Sequence, residues 1–412
     1  MKNKNFIIIV IGQIISLFGN AIQRFSMSLY LLEFTGSTAA FSKILAISTI
    51  PYILFAPIAG RLSDKINRKK IMVSLDFFCA LLIGSYALIL WNNHDSQWIV
   101  GTVMFILSIC YTLYGPAVTA SIPQIVEEEK LTSANGIINQ VGSVVNFAGP
   151  ILAGVLYGIL GIKAIVVINA VSFLLSAIME LFLDIPNIEG ADEEENSISI
   201  GFIKNSFVDM KNTFMYLKRE SKVVLGIIVS YGIGNIVLVP ILSIVTPYFI
   251  NMYLGLSSEV YGIVEGICVL GMIGGGFLIS TKPSLFTVKE VYKTFYPMIG
   301  GVVLMAVLGF SKIGGYKAAG IFAFGGMAIM FSLALSNVIT LTFIQKEVPD
   351  NMLGSVSAFS TAVATASVAP GQLLFGYIID MGLSIGLILL VTVIIDIGLV
   401  GFVKWNVRNV RI

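Results

Sequence analysis

Four charged residues sit where charge is expensive: Arg24, Glu180, Glu265 and Asp396 each fall in or at the end of a long apolar stretch. An ionisable group at bilayer depth costs at least about 2.5 to 3.5 kcal/mol on insertion scales, and it normally faces a cavity or a counter-charge. A carboxylate in that setting can bind and release a proton as its surroundings change, so these residues are the ion-coupling candidates. Arg24 is expected to pair with Glu265, at a similar depth in the outer half of its stretch. A purely structural ion pair is the alternative. Glu33, nine residues beyond Arg24, falls on the opposite helix face and is expected to be interfacial.

Other chemistry finds little support. The lone His94, beside Asp95, reads as a surface residue. Cys79, Cys110 and Cys268 lie in apolar stretches without metal-ligand spacing and read as small packing residues, so no metal or cofactor is expected. No Gly-rich loop precedes Lys-Ser or Lys-Thr, which leaves ATP hydrolysis unsupported. No His/Asp/Glu cluster has the spacing of an intramembrane enzyme, and the chain reads as non-enzymatic. A net charge of +2 offers nothing to nucleic acid.

The elements carrying these residues are set by composition. Of 412 residues 57% are apolar and 12% charged, where a soluble domain has roughly 25% charged. Apolar segments of about 20 residues, enough to cross a lipid bilayer, recur along the chain. Six are expected over 6–32, 39–60, 71–91, 97–119, 133–160 and 162–183. Six more are expected over 223–250, 258–280, 291–310, 316–343, 354–379 and 383–404. The first follows Met1-Lys2-Asn3-Lys4 and has no cleavage-site pattern, so it is expected to remain as a helix.

With this count, 20 of the 25 Lys and Arg fall on one side, against Lys43, Lys163, Lys312 and Lys317 on the other. By the positive-inside rule both termini are cytoplasmic, and the chain is a multi-pass protein of the cell membrane. The landmarks Gly19-Asn20, Gly60, Gln124 and Pro150 recur as Gly234-Asn235, Gly275, Gln345 and Pro370, at offsets of 215, 215, 221 and 220. An even number of spans per repeat makes the halves parallel. The expected fold is therefore an all-α polytopic membrane protein, a monomer of twelve transmembrane helices in two parallel six-helix bundles, 1–183 and 222–412. A cytoplasmic linker, 184–221, joins them; its acidic run from Asp192 to Glu195 reads as a solvated tether.

Gln13, Ser16, Asn20, Gln23 and Met27 form a polar stripe along span one, implying a face turned to water or substrate. Thr112 of span four, Asn235 and Asn337 complete the cavity-lining candidates. Small residues line span five at Asn135, Asn139, Gly142, Asn146, Pro150 and Ala153, a pattern that allows close helix approach.

The loop after span two, Gly60-Arg61-Leu62-Ser63-Asp64-Lys65-Ile66-Asn67-Arg68-Lys69-Lys70, resembles the signature loop of the major facilitator superfamily. Gly60, Asp64, Lys65, Arg68 and Lys69 match it. Asn67 stands where the family has Gly, and Asn tolerates positive φ. Asp64 and Arg68 could form a latch that breaks between two conformations, with Asp76 bracing Arg68. In span five, Gly136, Gly149, Pro150, Ala153 and Gly154 resemble the superfamily's antiporter motif, although Val145 and Ala153 replace glycines. Span four lacks the arginine that many proton-driven drug exporters of the family carry.

Stretches such as Gly19-Asn20-Ala21-Ile22-Gln23-Arg24-Phe25 and Ile122-Pro123-Gln124 resemble the macrolide-efflux and siderophore-exporter branch. The resemblance implies alternating access around a cavity lined by spans one, four, seven and ten, with export of a small amphipathic substrate in exchange for protons. Export of a siderophore or peptide natural product, uptake by the same fold, and a non-transporting membrane sensor are the alternatives.

Overall fold

The computed structural model describes residues 4–55, 58–59, 62–63, 66–127, 131–185, 200–282 and 287–408, so Gly60, Asp64 and Lys65 lie outside the described residues. Among the described residues the secondary structure is helical, without strands. The first helices are α1 (Lys4–Thr35), α2 (Thr38–Leu54), α3 (Arg68–Trp91) and α4 (Gln97–Ile125). The helical run Leu131–Glu180 breaks at Gly161, whose φ of 70° is left-handed, into α5 (131–160) and α6 (162–180). A β-carbon disfavours that conformation, so glycine sets the reversal. α7 (Ile200–Glu220) covers most of the expected linker.

The rest comprises α8 (Lys222–Pro240), α9 (Ser258–Thr281), α10 (Tyr296–Phe310), α11 (Gly315–Glu347), α12 (Asp350–Ala366), α13 (Val368–Asp380) and α14 (Ile385–Val407). α12 and α13 meet at Ser367 because Pro370 has no N–H for the Ala366 carbonyl, which opens the ladder there. Beyond Pro240, α8 continues as wide π turns over Ile241–Val245 and Tyr248–Tyr253, with Pro247 between them.

Among the described residues, ten helical segments are long and apolar enough to cross a membrane. The two expected spans missing from that count are present in other form. α2 is short, at 17 residues. The 50-residue run through Gly161 would be about 75 Å long if straight, more than twice a bilayer core of ~30 Å, so it holds two crossings.

The chain divides into two compact units, 1–36 with 47–198, and 37–46 with 199–412. The start of α2 groups with the second unit because it is hydrogen-bonded to Asp380 at the end of α13. In unit 1, α1 packs against the α5–α6 run and α3 packs there too. Asn5 clasps the Asp184 backbone through two hydrogen bonds of 2.9 and 3.1 Å, fixing the start of α1 beside the end of α6. Phe6, Ile9, Met72, Ile122 and Leu183 form a shared core at that end. In unit 2, α9 and α11 touch at Gly275, where a β-carbon would lie 2.5 Å from the Phe331 carbonyl oxygen.

Candidate functional site

A polar cluster lies in the interior of unit 1, built from four helices. α1 supplies Gln13 and Ser16, α3 Asp76, α4 Tyr114, and α6 Ser176 and Glu180. Asp76 is 3% exposed and Glu180 0%. Ser16 Oγ lies 3.2 Å from Asp76 Oδ2 and 2.9 Å from Ser176 Oγ. Tyr114 donates its hydroxyl to Glu180 Oε1 at 2.5 Å. Gly12 lets α1 approach: a β-carbon there would be 3.6 Å from Ser176 Oγ and 3.8 Å from Glu180 Oε1. Glu180 Oε2 and Gln13 Nε2 are buried without a hydrogen-bond partner.

Helical spacing explains the convergence. Ser176 and Glu180 are four residues apart and Gln13 and Ser16 three, so each pair shares one face of its helix. A buried, partnerless carboxylate oxygen is costly if charged.

Glu180 was among the coupling candidates, and Asp76 was expected to brace Arg68. Instead Arg68 donates to the Ser63 carbonyl at 3.1 Å and the Ala120 carbonyl at 2.9 Å, while Asp76 faces the cluster. Asn67 differs as well: its φ is −51°, and its side chain caps α3 by accepting from Lys70 N at 3.4 Å. An N-cap needs no left-handed turn, so Asn is suited to the position in its own right. Lys69 is half-buried in the first turn of α3.

The span-one stripe, expected to face water or substrate, has its first part turned into unit 1. Gln13 and Ser16 join the cluster, and Gln23 donates to Met27 Sδ at 2.9 Å. Asn20 is half-buried and Arg24 is exposed. Thr112 donates within its own helix, to the Ser108 carbonyl at 2.7 Å, and Asn235 donates to the Ala364 carbonyl at 3.0 Å. Asn337 is exposed. Glu265 accepts from Tyr261, one turn earlier, at 3.2 Å.

In the antiporter-like segment Gly136 lies in α5, and Pro150 is half-buried within the same helix. Gly149 faces α1, where a β-carbon would meet Ala21 Cβ at 2.9 Å; Ala153 and Gly154 are buried. Small residues here therefore seat α5 on α1.

Asp396 of α14 is 0% exposed, and neither of its carboxylate oxygens has a hydrogen-bond partner. Asp380 receives the start of α2: Thr38 N at 2.9 Å, Ala39 N at 3.1 Å, and the hydroxyls of Ser37 and Thr38. Its charge meets the positive end of that helix. Gln372 of α13 donates to Ser243 Oγ, in the π-wound part of span seven, at 3.2 Å. Sequence reasoning missed Ser176, Tyr114, Asp380 and Gln372. The i,i+4 pairing of Ser176 with Glu180 was the one local signal available for the first of these.

Comparison with known proteins covers nearly the whole chain. The family model described as Major Facilitator Superfamily matches residues 9–372. Macrolide efflux protein A of Streptococcus pyogenes is 26% identical over 393 residues, 94% of this chain and 93% of that one. The protein of the same name from Enterococcus faecalis is 24% identical over 325 residues, 78% of this chain and 95% of that one. Among solved structures, a bacterial homologue of the iron transporter ferroportin aligns with a TM-score of 0.71 at 16% identity, over 98% of this chain and 99% of that one. The nucleoside transporter NupG aligns at 0.70 and 15% identity over the full length of both chains. At these identities the structures establish the fold.

Proposed function

The chain belongs to the major facilitator superfamily, and from that premise we propose that this multi-pass membrane transporter exports small amphipathic molecules of the macrolide type in exchange for protons. End-to-end similarity to the two macrolide efflux proteins carries the reading. Both termini are cytoplasmic in this reading, in keeping with the segregation of Lys and Arg. The transporter works as a monomer by alternating access, and lowers drug susceptibility in cells that make it. The buried carboxylates of unit 1 are consistent with an ion gradient as the energy source, since a transporter of this class needs an intramembrane group whose charge can change.

The test uses inside-out vesicles from cells expressing the full chain. An acid interior is expected to drive accumulation of radiolabelled erythromycin, and a protonophore to abolish it. Accumulation only in right-side-out vesicles would instead establish uptake, and accumulation in neither orientation would remove macrolides as substrates.

A further inference from the structure

The acid pair in unit 1 has a chemistry that the fold alone does not require. Two carboxylates lie inside the unit, and no Lys, Arg or His among the described residues forms an ion pair with either. The titratable groups around them are Cys79 of α3 and Cys110 and Tyr114 of α4, none of which can supply a positive charge. Ser16 ties Asp76 to Ser176, and Ser176 Oγ and Glu180 Oε1 both lie within 4 Å of the Gly12 β-carbon position, so the two acids share one buried cluster. Two like charges in one apolar cluster without a counter-charge repel, and a proton shared by the pair relieves that repulsion. No group of three or more His, Cys, Asp or Glu suited to a metal ion occurs among the described residues. The donor set is that of a proton site.

We propose that Asp76, joined through Ser16 to Ser176, and Glu180, one helical turn beyond Ser176 and bonded to Tyr114, form the exchangeable proton site that couples transport to the proton gradient. This rests on the exporter reading given above. Ser16 has one hydroxyl proton and two neighbours, which makes the bridge reversible. With Asp76 ionised, Ser16 donates to Asp76 and accepts from Ser176. With the proton on Asp76, Asp76 donates to Ser16 and Ser16 to Ser176. The chain of hydroxyls thus inverts without any heavy atom moving. Glu180 Oε2, buried without a hydrogen-bond partner, leaves room in the hydrogen-bonding pattern for the proton to be taken at Glu180.

The depth of the site gives it a direction. Asp76 is eight residues beyond Arg68, the first of Arg68-Lys69-Lys70, or about 12 Å along α3, and Glu180 is the last residue of its helical run. The site therefore lies toward the Lys-rich end of unit 1, the side on which an exporter driven by proton entry must release its proton.

Purified full-length protein, titrated without substrate, reads the site directly in the infrared band of protonated buried carboxyl groups. Part of the band is expected to titrate in wild type, to disappear in Glu180→Gln and in Asp76→Asn, and to return in Glu180→Asp. A titrating band unchanged in both neutral variants would overturn the site. Erythromycin counterflow in vesicles without a gradient separates coupling from folding. Glu180→Gln is expected to keep counterflow while losing gradient-driven accumulation, and wild-type-like coupling in both neutral variants would again overturn the proposal. Absence of any erythromycin transport by wild type, with the band still titrating, would refute the exporter reading and leave the proton site standing.

Discussion

Glu180 and Asp396 hold matching places in the two halves and have entirely different surroundings. They are 216 residues apart, inside the 215 to 221 offset of the other repeated landmarks, and each is a fully buried acid in the last span of its half. Glu180 is bonded to Tyr114 and lies one turn beyond Ser176, which Ser16 links to Asp76. Thr392, one turn before Asp396, donates its hydroxyl to the Ile388 carbonyl of its own helix at 3.1 Å and not to the acid. Of the two acids, Glu180 has a hydrogen-bond partner and Asp396 has none. A lone ionised carboxylate at the second would carry the full cost of lost hydration.

That contrast can be broken in several ways. The largest expected effect is on Glu180→Gln, which should lower gradient-driven erythromycin accumulation by at least about tenfold, as expected for an intramembrane functional acid. Next, Asp396→Leu should raise thermal stability. It replaces an unpartnered buried carboxyl with an apolar group, a gain of about 1 to 3 kcal/mol, measured as an increase in unfolding temperature in detergent. A fall in stability would mean that Asp396 has a partner after all. Smaller still is Asp380→Asn, which removes the charge bound to the start of α2 and should cost about 0.5 to 2 kcal/mol. Unfolding temperature reads that effect too, and no change would show the cap to be energetically idle.

How far the sequence revealed this depends on the distance over which each feature acts. Apolar segments, charge segregation and the repeated landmarks are local or additive, so the helical membrane fold was legible, as was the break between spans five and six that Gly161 makes. Glu180 and Asp396 stood out as charges in apolar surroundings. Their difference did not, because the partners of Glu180 lie 66 residues away at Tyr114 and 104 away at Asp76. Packing of α1 and α3 against the α5–α6 run brings them together. The same holds for Asp380, whose bond to Thr38 joins residues 342 apart in sequence. The polar stripe on α1 was visible but its direction was not, since a polar face can turn to water or to a buried acid equally well. At Asn67 the resemblance to a family glycine suggested a left-handed turn, whereas its amide caps a helix.

The most direct test sets the two acids side by side: erythromycin accumulation in inside-out vesicles with an acid interior, for Glu180→Gln and Asp396→Asn at equal protein levels. The first is expected to lose at least about tenfold, and the second to stay within about twofold of wild type. Retained accumulation in Glu180→Gln, or loss confined to Asp396→Asn, would contradict the assignment of coupling to unit 1.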